Sequence, residues 1–472
     1  MLMYEHSRVM VVLGAFAERA LRTMKKCYLT FLIGCMFLMA SCANIPESEA
    51  TPPHETKTSL PNTLSISPTA TIAPSATAAP TKRSTDTPLP LSPTPSETNT
   101  PNIPPEANLM ITCLQVVDEY PDGVVFGGTL VIGGYQDEPT TYLWNLETGE
   151  KIDLPDRALD FAVSPDGTRL AFTELGDPDD WIRIVTADGQ QQSIPQIENW
   201  FFINQWLDDE NLIIDQRSET IDSSVVLNIN SGQEQIFTPN YPDIYLLDVP
   251  YRGWGGYAYT ASVLDPMLTR VVYPAIVPGN PSRLNYVIWD LQSNAMISNL
   301  GLTPPSVVEH VPVWSPSGNE FIVAYPTRED ALNYIPDDEL YSINRDGLVT
   351  KLTNLSAYFT VGVDIRRYSW SPDGYKVAFW MQPNPPAGTH DDPQMELAIL
   401  DLMTQQVTLY CINGDFRGGG WDPIWAPNSQ QLLVKSLSAE GTGQLVILDV
   451  AQGIAVRIAN DKRPYGWMIS DP

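Results

Sequence analysis

Between Val163 and Trp467 the apolar positions fall into short runs rather than long helical stripes, and the runs recur in one order. A bulky apolar residue comes first, then a tight polar turn, then a short apolar strand. The clearest copies are Trp370, Ser371, Pro372, Asp373, Gly374 leading to Val377, Ala378, Phe379, and Val163, Ser164, Pro165, Asp166, Gly167 leading to Leu170, Ala171, Phe172. Short apolar runs bounded by Pro, Asp and Gly read as strands joined by hairpins. In the turn, Pro presets φ for a type I geometry, the Asp side chain bonds its own backbone, and Gly takes the left-handed exit. Each copy therefore predicts an inner strand that turns sharply into a second strand.

The repeat holds in two independent registers. The anchor positions are Val163, Trp206, Leu264, Trp314, Trp370, Trp425 and Trp467, separated by 43, 58, 50, 56, 55 and 42 residues. After each anchor except the last comes a further strand signal ending in a polar turn: Trp181 to Gly189, Val225 to Gly232, Tyr286 to Asn294, Leu340 to Gly347, Leu397 to Gln405 and Leu445 to Gly453. One more such signal, Tyr142 to Gly149, precedes the first anchor and has none of its own. Its partner is the leftover anchor Trp467. Strand-rich repeats at this spacing predict an all-β fold, a seven-bladed β-propeller closed by the C-terminal strand, with six or eight blades as the alternatives. Closure removes the open sheet edge that a linear array would expose.

All twelve tryptophans lie between Trp144 and Trp467, and the anchor rings are expected to wedge between blades, since aromatic side chains dominate core burial. On these residues a family resemblance rests. The phrases Trp370 to Phe379, Phe161 to Phe172 and Trp314 to Tyr325 resemble the WD40-like repeats of TolB-type propellers, as does the variant Trp206, Leu207, Asp208, Asp209, Glu210, Asn211, Leu212. Trp425, Ala426, Pro427, Asn428 is a weaker copy, and Leu264, Asp265, Pro266, Met267, Leu268 is recognisable only by its spacing. The resemblance covers about residues 107–472 and implies the fold, not a partner; TolB-type proteins have six blades and an extra N-terminal domain, from which this chain departs.

The N-terminus concerns address. Lys25 and Lys26 precede an apolar run from Cys27 to Ala40 that ends in Leu38, Met39, Ala40, Ser41, Cys42. A basic segment, a short apolar core and small residues before the cut describe a secretory signal over residues 1–41, with Met24 as an alternative start. Cys42 in that setting resembles a bacterial lipobox, which implies a lipidated cysteine; Leu32, Ile33, Gly34, Cys35 is the competing match, and a plain transmembrane anchor the other alternative. From Cys42 to Glu106 the chain is rich in Pro, Thr, Ser and Ala and too poor in large apolar residues to pack, so a disordered stalk is expected before a propeller over 107–472. The expected location is the bacterial cell envelope, extracytoplasmic and held to the membrane by the lipid.

Charge and cysteine usage agree with that address. The chain has 27 basic and 56 acidic residues, a formal net charge of −29, which argues against nucleic acid as a partner and for a soluble, monomeric propeller. Beyond Cys42 the only cysteines are Cys113 and Cys411. In an oxidising compartment they could form one disulfide tying the segment before the first blade to the end of the sixth, the alternative being two free thiols.

Loops on a rigid scaffold are where binding usually resides. The face opposite the tight turns carries the long connections expected at Pro274 to Asn285, Pro326 to Glu339 and Gln382 to Glu396. Its loops read as an acidic rim, with Asp137, Glu138, Asp177, Asp179, Asp180, Asp337, Asp338, Asp391 and Asp392, around Arg157, Arg252, Arg366, Arg367, Arg417 and Arg463 just upstream of the inner strands. Guanidinium groups so placed suit a carboxylate-bearing sugar or peptide C-terminus, or else pair with blade carboxylates. Trp254 and Trp421, beside glycines in the same loop class, suit sugar stacking. Asp177, Asp179 and Asp180 lack the spacing and Gly of a calcium loop, so no metal or other cofactor is expected. No Gly-x-Ser-x-Gly elbow is present, and His310 is the best general-base candidate. The expectation is a non-catalytic module that binds a protein or glycan; the alternative is an extracytoplasmic polysaccharide hydrolase or lyase with its site at the axial mouth.

Overall fold

Seven sheets, each built on four antiparallel strands and two of them extended by a fifth, parallel strand, make up a computed structural model. It describes residues 108–469 apart from 122–123, 125, 135–139, 175–180, 196–200, 218–221, 238–262, 278–279, 303–310, 328–336, 384–394 and 417–420. The signal, Cys42 and the stalk lie outside the described residues, which all fall within one compact unit, Glu97–Pro472. Among the described residues the one helical element is a short 3₁₀ turn, Leu355–Ala357.

Blade two runs Ala158–Val163, Arg169–Glu174, Trp181–Thr186, Gln191–Pro195, and blades three to seven repeat that plan from inner strands at Phe201–Trp206, Val263–Leu264, Val313–Trp314, Val363–Trp370 and Ile424–Trp425. Blade one takes its inner strand from the other end of the chain. Arg463–Met468 pairs antiparallel with Thr129–Gly133, Trp467 opposite Leu130, and Thr141–Asn145 follows outside it. The orphan strand signal and the leftover anchor thus meet in one sheet, and the count is seven.

Burial explains why the blade strands read as continuous apolar runs instead of alternating ones. The second strands of blades two, five, six and seven are buried almost end to end, because both faces of a blade are covered by its neighbours. Seven apolar clusters result, one at each blade boundary. Leu212 and Ile214 face the core shared with blade two, whereas Ile213 between them faces the core shared with blade four. Leu130 and Ile132 likewise pack against blade seven while Val131 packs against blade two.

The anchor tryptophans add a polar stitch to this packing. Trp206 Nε1 donates to Ala162 O at 2.9 Å, Trp314 to Val263 O at 3.2 Å, Trp370 to Val313 O at 2.9 Å and Trp425 to Ser369 O at 3.3 Å. In all four the acceptor is the residue just before the preceding blade's anchor. Trp467 departs from this pattern and donates to Gly127 O at 3.1 Å, clasping the chain segment that leads into blade one. Gly128 has φ +98° there, and a Cβ on it would stand 2.6 Å from the Trp467 nitrogen, so the closure requires glycine.

The tight turns form as their residues dictate. Ser371 Oγ donates to Asp373 Oδ1 at 2.6 Å while the amides of Tyr375 and Lys376 donate to Asp373 Oδ1 and Ser371 Oγ. Turns of neighbouring blades also touch: Asp166 N donates to Asp209 Oδ1 and Asp373 N to Ser429 Oγ. In blade four Asp265 replaces the serine, accepting from the amides of Thr269 and Arg270, and Leu268 takes the left-handed position at φ +53° where blades two, five and six have Gly167, Gly318 and Gly374 and blade seven has Ser429. Asp265 is fully buried and paired with Arg345 of blade five at 2.6 Å.

One further ion pair is buried on both sides: Lys435 Nζ of blade seven lies 3.1 Å from Asp415 Oδ2, just past the outer strand of blade six. Lys435→Met should cost about 3–5 kcal/mol by stranding the carboxylate, and adding Asp415→Leu should return much of that loss. Trp370→Phe, which deletes the donor and leaves a smaller aromatic ring in the same core, should cost at least about 1–3 kcal/mol. Urea unfolding reads all three, and midpoints equal to wild type would contradict the assignments.

Candidate functional site

The inner strands carry backbone irregularities at one level. Register shifts fall between Leu159 and Ala162 in blade two, Ile203 and Gln205 in blade three, and Arg366 and Tyr368 in blade six, and opposite Val131 and Ile132 in blade one, where Tyr465 is passed over. Asp160 and Arg367, each three residues before its anchor, have φ +54° and +50°. A β-bulge turns a side chain out of the alternation that the pleat would give it, and bulges concentrate beside functional sites.

Counting back from the anchors places the chemistry. Four residues before them stand Arg366, Trp421 and Arg463 on the consecutive blades six, seven and one, and three residues before stand Arg367, Asp422 and, on blade two, Asp160. These groups meet. The Arg463 guanidinium lies 5.5 Å from the Trp421 ring centroid, and Trp421 packs edge-on to Tyr465 at 5.5 Å. Tyr465 in turn lies 4.5 Å from Phe161 of blade two. The Trp421 main chain is fixed by Trp380 Nε1, which donates to its carbonyl at 2.8 Å, while its own indole Nε1 is buried without a hydrogen-bond partner among the described residues. Arg366 forks onto Asp364 two residues earlier on the same strand, at 2.8–3.1 Å.

The electrostatics mark the same wall. Burial pushes the Asp160 carboxyl up to about 6. Asp422 is exposed to solvent, yet the protein around it raises its carboxyl, with the Arg367 charge opposing. Asp422 thus stands three residues before the blade-seven anchor, within reach of the Arg367 charge of blade six. Burial also raises the Tyr465 hydroxyl, opposed by the charge and hydrogen bond of Arg463.

Several sequence expectations change. Arg366 and Arg367 lie within an inner strand rather than upstream of it, and Arg463 is the first residue of another. Trp421 is half-buried and packed rather than an exposed platform. Pro274 to Asn285 is not a loop: its arms pair from Pro274 opposite Tyr286 out to Val277 opposite Asn280, because Val, Ile and Tyr on both arms favour the ladder. Asp337 and Asp338 are buried instead of forming a solvated rim; Asp337 accepts from Thr327 Oγ1 at 2.8 Å and Asp338 from the Ile365 amide at 3.1 Å. Arg157 stands in the exposed turn ahead of blade two's inner strand. Arg252, Trp254, His310, Arg417 and the remaining acidic loop residues lie outside the described residues. Sequence reasoning missed Asp160, Phe161, Asp422 and Tyr465; counting back from each anchor would have aligned them. Among the described residues no group of three or more His, Cys, Asp or Glu is placed to hold a metal ion.

No family model matches the chain, and no curated protein matches it. Solved structures with a similar fold include TolB from Acinetobacter baumannii, at 13% identity and TM-score 0.40 over 77% of this chain and 97% of that one. An oligogalacturonate lyase in complex with manganese is similar at 13% identity and TM-score 0.44 over 71% of this chain and 86% of its own. The β-propeller domain of the Trilobed protease from Pyrococcus furiosus is similar at 12% identity and TM-score 0.46, over 70% and 92%. These likenesses concern the fold.

Asp160 yields a pH dependence. A folded carboxyl that holds its proton more tightly than the unfolded one contributes stability below about pH 4. That contribution is lost as the pH rises through the folded value of about 6. Asp160→Asn, a residue that tolerates positive φ, should therefore stabilise by about 1–3 kcal/mol near pH 8 and change little near pH 3.5. Equal effects at both pH values in urea unfolding would contradict the burial of this carboxyl.

Proposed function

We propose that the chain is a non-catalytic binding module, a lipid-anchored propeller displayed outside the cell on a Pro-rich stalk, whose axial wall holds a protein or glycan partner. One observation carries the reading: the inner strands of blades six, one and two and the segment leading into that of blade seven set Arg367, Asp422, Trp421, Arg463, Tyr465 and Asp160 two to four residues before the anchors of four consecutive blades. Two guanidiniums beside an aromatic pair suit a ligand that offers a carboxylate to the arginines and a sugar or side-chain face to Trp421. Lipidation of Cys42 and the envelope location belong to the same proposal and rest on the N-terminal sequence alone.

A panel of acidic and neutral oligosaccharides and of C-terminal peptides, titrated calorimetrically against wild type and Arg463→Gln, tests the reading. The expected result is binding of an anionic member that weakens about 10- to 100-fold in the variant. Binding unchanged by Arg463→Gln would place the site elsewhere and overturn the axial-wall reading.

A hydrolase or lyase is the second reading, favoured by one observation: Asp160 and Asp422 both have raised carboxyl pKa values on the inner wall, the condition a general acid or base needs near neutral pH. New reducing ends or unsaturated products from acidic polysaccharides, abolished by Asp422→Asn, would establish it over the binding reading.

A further inference from the structure

The chain reaches blade one by a route that the ring does not need. Asn108–Ile111 lies parallel against Gln406–Leu409 as a fifth, outermost strand on blade six, and Val116–Val117 lies parallel against Ala455–Val456 on blade seven. Between them Thr112 N donates to Leu409 O at 2.8 Å, and Cys113 is disulfide-bonded to Cys411 of blade six's outer strand. Further on, the Gly127 carbonyl accepts from Trp467. The apolar side chains of this segment enter three consecutive interblade cores. Leu109 packs on the cluster between blades five and six, Leu114 and Val116 on that between six and seven, and Val117, Val124 and Phe126 on that between seven and one. Parallel strands of two to four residues are weak pairings by themselves, and the Asp118–Arg457 pair at 2.7 Å is too exposed to add much. The disulfide is the one covalent link among the described contacts of this segment with the blades.

We infer that residues 108–117 form a second latch on the ring, applied from outside and released by thiols. Closure by Arg463–Met468 acts at the inner strand; the latch caps the outer ends of the three boundaries that flank the axial wall on blades six, seven and one. Cys113 is solvent-exposed and its partner only half so, which directs an incoming thiolate to Cys113 and makes Cys411 the leaving thiolate. A dithiol completes the exchange: its two thiols are oxidised to their own disulfide, and the two electrons and two protons end on Cys113 and Cys411 as free thiols. The ring stays closed while the strap detaches. This inference does not depend on the binding reading.

Hydrogen exchange of the folded full chain, before and after dithiothreitol without denaturant, tests it. Amides in the strap, Thr112 and Leu114 among them, should exchange about tenfold faster or more on reduction, whereas those of Arg463–Met468 and Thr129–Gly133 keep their protection. Cys113→Ser with Cys411→Ser should match the reduced protein and ignore the reductant. Strap amides that keep their protection on reduction would overturn the latch; loss of protection around the whole ring would too, since the bond would then support the fold at large.

Discussion

Burial of both faces of every blade is the constraint on which the rest of this structure depends. A sheet that is apolar on both sides cannot stand alone in water, and each blade here owes half of its core to either neighbour. Such an array is stable only when it has no end, so the last strand must complete the first sheet. The geometry of Trp467, donating to Gly127 rather than to a neighbouring inner strand, shows how the two chain ends are made to meet. The buried Lys435–Asp415 pair and the Asp265–Arg345 pair sit at blade boundaries too, where a charge is tolerated only because its partner comes from the next blade or the segment leading to it.

A closed ring also explains where chemistry can be placed. Inner strands are too constrained by the cores behind them to present side chains freely, and bulges relieve that constraint at one level. Asp160 and Arg367 occupy left-handed backbone, which Asp tolerates better than Arg, so the local cost that the surrounding cores offset falls mainly at Arg367. The wall they help form spans blades six, seven, one and two, and three of these are the blades that the N-terminal segment binds from outside.

Much of this was legible in the chain, and the parts that were not share physical causes. Repeated turn chemistry made the anchors at Trp314 and Trp370 readable, and the unpaired strand signal at Tyr142 to Gly149 revealed the closure. Blade four was faint because Asp265 does the work of serine and Leu268 that of glycine. The Cys113–Cys411 link of the strap was among the readings of the sequence, but its strands were invisible: Asn108–Ile111 and Val116–Val117 are too short to carry a period, and their pairing is set wholly by blades six and seven. Asp364 and Arg366, two apart on one strand, share a face, so their pairing could have been anticipated from strand geometry. Counting back from the anchors would have found the positions of Asp422 and Tyr465, but not the direction of Tyr465, which the register shift in blade one sets.

The most direct test of ring closure as the organising constraint is indole hydrogen exchange, followed by NMR on ¹⁵N-tryptophan-labelled protein. If two-sided burial makes the blades interdependent, the Nε1 protons of Trp206, Trp314, Trp370, Trp425 and Trp467 should exchange with one common free energy, that of global unfolding. Release of the Trp467 proton well ahead of the other four would show that the closing strand opens alone and that the remaining blades stand without it.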